Sequence, residues 1–379
     1  GVLCKKIFFG GCTVFLTPFL GFGQEQVSLL PVIVTIADRR EALREKVGSS
    51  VTVVTREELE HRREWFALEA LRRTPGINVT RTGGPGQPAK LYLRGGEPRH
   101  VTFLVDGVEV RDAAGFDGHD LVHLGLADVE RIEVVRGPRS SAYGSNALAG
   151  AVNVIRARPA EGRRSSFGFE HGPNATYAGF LSTGAKAGAF RYAVTVSRYE
   201  TEGYSVVRGG AETDGYRNLQ WSGSLGYELG DDRELNLAGH VLQANGDFDD
   251  MATTDVSGYR FANQERMLRL SLDKRDEAGQ LVDSLSATWT NFTRCEDVTS
   301  GVNYTYLSRS RRAEWMHSFR LGEWLDAQAG LRYEEEEGVA DDFFAALPSR
   351  SAYLRNHMDW GELSIDVGAR VDDRDRYGV

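Results

Sequence analysis

From Arg158-Pro159 to the end of the chain, apolar and polar residues alternate with period two in segments of roughly ten residues, the spacing of strands whose side chains point to opposite faces. Trp221, Gly223, Leu225, Tyr227 and Leu229 share one face against Ser222, Ser224, Gly226 and Glu228. Ala313, Trp315, His317, Phe319 and Leu321 oppose Glu314, Ser318 and Arg320. Leu325, Ala327, Ala329, Leu331 and Tyr333 oppose Asp326, Gln328, Arg332 and Glu334, and Leu363, Ile365, Val367, Ala369 and Val371 oppose Ser364, Asp366, Arg370 and Asp372. About eleven such strands are predicted, joined alternately by short turns (Leu229 to Glu234) and long polar loops (Asn245 to Asn263). Tyr199, Tyr204 and Trp324, at strand ends, suit an interfacial aromatic girdle. A soluble sandwich would pack the apolar faces together. Long strands with lopsided loops behind an apolar leader favour a transmembrane barrel.

Residues 45–157 follow another rule. Val51-Thr52-Val53-Val54 predicts a strand, and Thr55 with Glu58 makes a capping box for a helix whose apolar face is Leu59, Phe66, Leu68 and Leu71. Thr74-Pro75-Gly76 stops that helix. Strands are predicted at Ile77–Val79, Leu91–Leu93 and Val101–Val108, the last with the hairpin signal Asp106-Gly107. Val129 to Val135 alternates apolar and charged residues until Gly137-Pro138 breaks it. A small-residue passage, Ser140 to Ala151, leads to a further strand through Val152, Val154 and Ile155. Together these make a small domain of short strands and one helix. Two turn-rich loops, Arg81 to Pro88 and Arg111 to Asp120, lie between its elements, and Gly83-Gly84-Pro85-Gly86 lacks the spacing of a phosphate loop.

Ahead of it, Lys5-Lys6, the apolar Ile7 to Leu20 and Gly21-Phe22-Gly23 read as a secretory signal over residues 1–23. Residues 24–44 carry the apolar run Leu29 to Ala37, too short to span a membrane: an ordinary edge strand, or a donor strand for a partner's sheet.

Composition changes this picture little. A net charge of −9 over 379 residues argues against a nucleic-acid footprint. A mean hydropathy of −0.37 is compatible with a barrel, whose inner faces are polar. Cys4 and Cys12 would leave with the signal, so Cys295 alone cannot form an intrachain disulfide. No nucleophile elbow or zinc motif is present, so an enzyme is not expected. His119 and His123, at i and i+4 without a third ligand, suggest a loop or surface role.

Leu93-Arg94-Gly95, Leu104-Val105-Asp106-Gly107-Val108, Val129 to Pro138 and Ala142 to Ile155 resemble the plug pattern of TonB-dependent outer-membrane receptors. The form Gly137-Pro138-Arg139-Ser140 is most similar to the cobalamin-receptor branch; siderophore and haem receptors share the plug. The resemblance implies an α+β plug (residues 45–157) followed by the N-terminal half of an antiparallel transmembrane β-barrel (158–379), of about 22 strands when complete. The chain is accordingly expected to be truncated, since Val379 directly follows a strand.

It further implies TonB-dependent transport by a monomer in the outer-membrane lipid of a Gram-negative cell, with a corrinoid or an iron chelate as ligand. Val32, Ile33, Val34, Thr35, Ile36 and Ala37 would be the TonB box, pairing as a strand with the energy-transducing protein. Thr82, Gly83, Gly84, Gln87, Arg111, Asp112, Phe116 and Asp117 are the expected ligand-loop residues. Arg94 and Arg136 match plug arginines that pair with barrel glutamates. Calcium, a cofactor in receptors of this branch, finds hard oxygen donors at Asp214, Asp247, Asp249, Asp250 and Asp255. A passive porin or adhesin barrel is the competing class; it would carry no plug.

Overall fold

The structure, a computed structural model, describes residues 33–34, 42–43, 49–114, 121–159, 161–207, 210, 212–230, 232–249, 259–277, 279–298, 302–322, 324–340, 343–360 and 363–374. Ile33–Val34 (β1) and Ala42–Leu43 (β2) form a two-residue antiparallel ladder.

Val51–Thr55 (β3) enters the plug and leads into a helix that the sequence predicts as one piece. The structure divides it into Arg56–Arg62 (α1) and Ala67–Arg72 (α2). The capping box is present: Glu58 N–H donates to Thr55 Oγ1 at 3.3 Å, and Thr55 N–H donates to Glu58 Oε2 at 3.0 Å. The break comes at Arg63, which adopts the left-handed conformation at φ 52°. Its cause is tertiary. Phe66 leaves the helical path to bridge to Gly125 and to meet Tyr199 edge to face, centroids 5.0 Å apart.

The plug continues with Ile77–Arg81 (β4), Ala89–Leu93 (β5), Val101–Val105 (β6), Val108–Glu109 (β7), Val129–Arg136 (β8), the short helix Ser140–Tyr143 (α3) and Gly150–Arg156 (β9). One sheet has the order β3-β8-β9-β6-β7, with β6 and β9 parallel and the other pairs antiparallel; β4 and β5 pair separately. Alternating β-branched residues bury one face of it: Ile132, Val134, Val152, Val154 and Val105 are all at most 1% exposed, and Leu93 of β5 is buried with them in the same core. The backbones of β8 and β9 approach closely where β9 starts. A Cβ on Gly150 would lie 2.2 Å from the Val135 carbonyl oxygen, at φ +151°.

The wall is a single sheet of eleven strands in sequence order, each antiparallel to the next. They are Gly162–Gly172 (β10), Thr176–Ala187 (β11), Phe190–Thr201 (β12), Tyr216–Gly230 (β13), Arg233–Asp247 (β14), Arg260–Arg275 (β15), Leu281–Val298 (β16), Val302–Leu321 (β17), Leu325–Ala340 (β18), Phe343–Asp359 (β19) and Ser364–Arg374 (β20). The apolar faces predicted from the sequence point away from the plug. Trp221, Leu225, Tyr227 and Leu229 are about half exposed, as are Leu331 and Leu363. The polar faces point at the plug: Ser222 donates to Asp128, and Gln220 meets Gly125. A wall with its apolar side out is a wall built for lipid. Plug and wall share a core, since Met267 and Phe292 of the wall pack into the plug's apolar cluster. Among the girdle aromatics, Trp324 stacks on Trp360 at a turn, but Tyr199 faces inward against Phe66.

Replacing Gly150 by Ala forces its methyl against backbone that cannot rotate away. The expected cost is about 1–3 kcal/mol, read as a lower urea midpoint of plug unfolding at an unchanged m-value.

Candidate functional site at the seam between plug and wall

The plug segment 121–129 runs along β13 and bonds in turn to its consecutive inward positions. Asn218 and Gln220 side-chain amides donate to the His123 carbonyl at 3.0 and 2.8 Å. Gly125 N–H donates to Gln220 Oε1 at 3.0 Å, and Ser222 completes the run at Asp128. His123 is 5% exposed, not the surface residue that its loop-like sequence suggests. Its Nδ1 lies 2.9 Å from the Tyr216 hydroxyl, and its Nε2 lies 2.8 Å from the Asn263 side-chain nitrogen. Tyr216, Phe261 and Phe66 close an aromatic cluster around it. At the other end of the segment, Arg156 reaches Asp128 at 3.3 Å, Asp106 at 3.5 Å and His240 Nδ1 at 2.7 Å. His240 Nε2 in turn meets Glu265 at 2.7 Å.

A second contact is ionic. Glu109, the last residue of β7, lies 3.3 Å from Arg312 and 3.6 Å from Arg332. Each arginine also holds a carboxylate of the wall, Glu334 at 2.7 Å and Glu314 at 3.2 Å. Two further pairs lie nearby, Arg111 with Glu336 and Asp112 with Arg294, both at 3.3 Å.

The expected tether is not among these pairs. Among the described residues no barrel carboxylate meets Arg94 or Arg136. Arg136 is bound inside the plug, donating to the Pro75 carbonyl, to Ser50 Oγ at 3.3 Å and to Thr52 Oγ1 at 2.8 Å. Burial and the neighbouring Arg94 charge lower its pKa. The reason is placement: Arg136 ends β8 beside edge strand β3, so its reach is taken up by β3 and by the turn after α2. On these strands the plug supplies mostly carboxylates and the wall mostly arginines.

The expected ligand loops divide. Gln87 is 4% exposed and donates to the Asp247 carbonyl at 2.6 Å, so it anchors its loop to the wall. Gly83 and Gly84 lie against Val206 and Tyr204 of the loop after β12, and Thr82 is exposed with its hydroxyl bonded to the Pro88 carbonyl. Arg111 and Asp112 are half-buried in the ion pairs above; Phe116 and Asp117 lie outside the described residues. The acidic loops also divide. Asp214 and Asp249 converge with Glu212, one carboxylate oxygen from each lying within 4.8 Å of the others. Asp247 instead pairs with Arg260 at 3.3 Å, and Asp250 and Asp255 lie outside the described residues. Of residues 32–37, Ile33 and Val34 are described, as backbone in β1; Val32, Thr35, Ile36 and Ala37 are not.

Sequence reasoning missed His123, Glu109, Asp128, Arg312 and Arg332. The only signal was parity: Arg312 and Arg332 fall on polar faces that alternate with the lipid side.

Residues 44–151 match the family TonB-dependent Receptor Plug Domain. The chain is 27% identical over 382 residues to a vitamin B12 transporter, BtuB, of Vibrio vulnificus strain YJ016, covering 96% of this chain and 60% of the relative. The counterpart from strain CMCP6 is 26% identical with similar coverage. Among solved structures, the siderophore receptor PirA of Pseudomonas aeruginosa is 19% identical with a TM-score of 0.67, covering 86% of this chain and 56% of that one. The ferripyoverdine receptor of the same organism is 17% identical with a TM-score of 0.71, covering 91% and 54%. The chain thus spans about six-tenths of the length of the curated relatives it matches.

Replacing Glu109 by Gln leaves Arg312 and Arg332 short of one shared carboxylate in a mostly buried site. Because Glu334 and Glu314 stay on the two arginines, a loss of about 1–2 kcal/mol in plug seating is expected, seen as faster amide exchange in β6 and β7 with the wall strands unchanged.

Proposed function

We propose that this chain, which belongs to the TonB-dependent receptors by its plug and its wall of antiparallel strands, serves energised uptake of a large, scarce ligand across an outer membrane. The observation that carries this reading is the plug seated on the polar face of a lipid-facing sheet. A passive porin would leave that face to water. Here the Asn218, Gln220 and Ser222 side chains are spent on the plug. Such a plug must be moved for a ligand to pass. An outer membrane holds no nucleotide supply, so the work has to arrive as a pull from within.

The segment Val32–Ala37 is where that pull would be applied, by strand addition to an energy-transducing partner. Its described part, β1, is a ladder of two residue pairs, which a competing strand displaces at little cost. The ligand would rest on the plug loop around Thr82–Gly84 and on the loop after β12 that meets it, with Arg111 and Asp112 beneath. A corrinoid is favoured by the similarity to vitamin B12 transporters; the likeness in fold to siderophore receptors makes an iron chelate the second reading.

Glu212 and Asp214, before β13, and Asp249, after β14, suit calcium, which takes about 6–8 oxygen ligands. Held together in this way, the two loops would form a fixed rim over the plug. Asp214 is 1% exposed and also accepts from Val206 N–H at 3.2 Å, which fixes its carboxylate in place.

Deleting Val32–Ala37 from the complete receptor should abolish energised uptake of radiolabelled cobalamin while leaving binding to intact cells unchanged. Persisting uptake would reject the proposed coupling; binding of ferric siderophore but not cobalamin would shift the ligand assignment. Separately, calcium should raise the melting temperature of the complete receptor, and Asp214→Asn should remove most of that rise. An equal rise in the variant would exclude this calcium site.

A further inference from the structure

The outward side of the wall carries a short polar row at its short-turn end. Arg233 opens β14, and Lys274 stands one residue before the end of β15. Asp283 is third in β16, and His317 lies four residues before the end of β17. The four are opposite one another in register, Arg233 to Lys274, Lys274 to Asp283, and Asp283 to His317. By parity they share the outward face with Leu235, Leu272, Leu285 and Trp315, all of them exposed. Ionisable groups on a lipid-facing surface cost stability unless something pairs with them.

Opposite charges that face each other across two strands ordinarily pair. Lys274 and Asp283 do not. Asp283 turns to His317 instead, with Oδ1 lying 2.7 Å from Nδ1, and among the described residues its other oxygen has no bond. His317 is held there by its neighbours along β17, stacked between Trp315 at 6.2 Å and Phe319 at 5.7 Å. Lys274 and Arg233 stay exposed, and among the described residues no carboxylate comes within ion-pair reach of either. The row thus offers two cations and, one strand spacing away, about 4.8 Å, a carboxylate with a free oxygen. A phosphate joined through two carbons to an ammonium carries the complementary charges at that separation. The phosphate would rest on Arg233 and Lys274, and the ammonium on Asp283 beside the aromatic stack. Leu270, Leu272 and Leu285 next to the row offer a surface for acyl chains. Short turns mark the periplasmic end of a barrel, so the leaflet concerned is the inner one.

We propose that Arg233, Lys274 and Asp283 bind the zwitterionic headgroup of an aminophospholipid in the inner leaflet. This rests on the outer-membrane placement proposed above. The bound lipid would hold together the short-turn ends of β14–β16, whose inner faces are already joined by Ser284 donating to Asp273 at 2.7 Å.

The test uses the complete receptor, purified in detergent and incubated with dioleoyl phosphatidylethanolamine or with dioleoyl phosphatidylglycerol, which has the phosphate but no ammonium. Bound lipid is counted by native mass spectrometry. Wild type should bind the ethanolamine lipid about tenfold more tightly than the glycerol lipid. Asp283→Asn should bring the two lipids level. Lys274→Gln should weaken both about fivefold and keep the preference between them. Equal affinity of the wild type for the two lipids would overturn the proposal, as would a preference that survives Asp283→Asn. Tighter binding of the glycerol lipid would reduce the row to a plain cation site and overturn it as well. Should Asp283→Asn not fold, judged by heat-modifiable electrophoretic mobility, the wild-type contrast and Lys274→Gln decide, because Lys274 has no acidic partner to lose. Failure of the wild type to insert into phosphatidylcholine vesicles would instead reject the membrane placement itself.

Discussion

A strand in lipid can satisfy its backbone only through neighbouring strands, and that requirement governs the rest of this molecule. It forces the eleven strands into one continuous antiparallel ladder. Because side chains alternate, a face made apolar for lipid necessarily leaves the other face free to be polar. That inner face needs partners, and the plug provides them. The seam is accordingly rich in side-chain amides, hydroxyls and ion pairs, with apolar contact confined to places such as Met267, Phe292 and the Phe66–Tyr216 cluster.

Such a seam holds the plug in register without making it immovable. Buried ion pairs add little net stability compared with apolar packing, because their attraction is offset by desolvation. Their merit is that water can replace each partner once a gap opens. Glu109 between Arg312 and Arg332 fits that description: when the hairpin leaves, both arginines keep Glu334 and Glu314. An apolar seam would have to expose its whole area to water at once.

The wall was readable in advance because a period of two persists over hundreds of residues and each face has a single environment. The plug's strands and capping box were readable for similar local reasons. The helix break was not. Arg63 and Phe66 are ordinary helix residues, and it is distant partners, Gly125 in the plug and Tyr199 and Tyr216 in the wall, that draw Phe66 out. Site residues were harder still. His123 lies in Gly-rich sequence, and nothing local indicates that Asn218 and Asn263 will fill its hydrogen-bonding positions. The plug arginines were recognised by motif, but a motif carries no information on which partner lies closest. Arg136 found Ser50, Thr52 and the Pro75 carbonyl before any glutamate.

That placement bears on how a pull would enter the plug. β3 is an edge strand with one neighbour, β8, so a single ladder of five residue pairs holds it. Arg136 clamps the start of that ladder at Ser50 and Thr52 and fastens both to the turn after α2. Force arriving from the N-terminal side meets this clamp before it meets the ladder. Beyond it, β8 continues back to Val129 and Asp128, where the contacts along β13 begin. An edge strand, a clamp and a row of separate polar bonds can yield one after another. The apolar core around Ile132 and Val154 need not open as a whole for the seam to part.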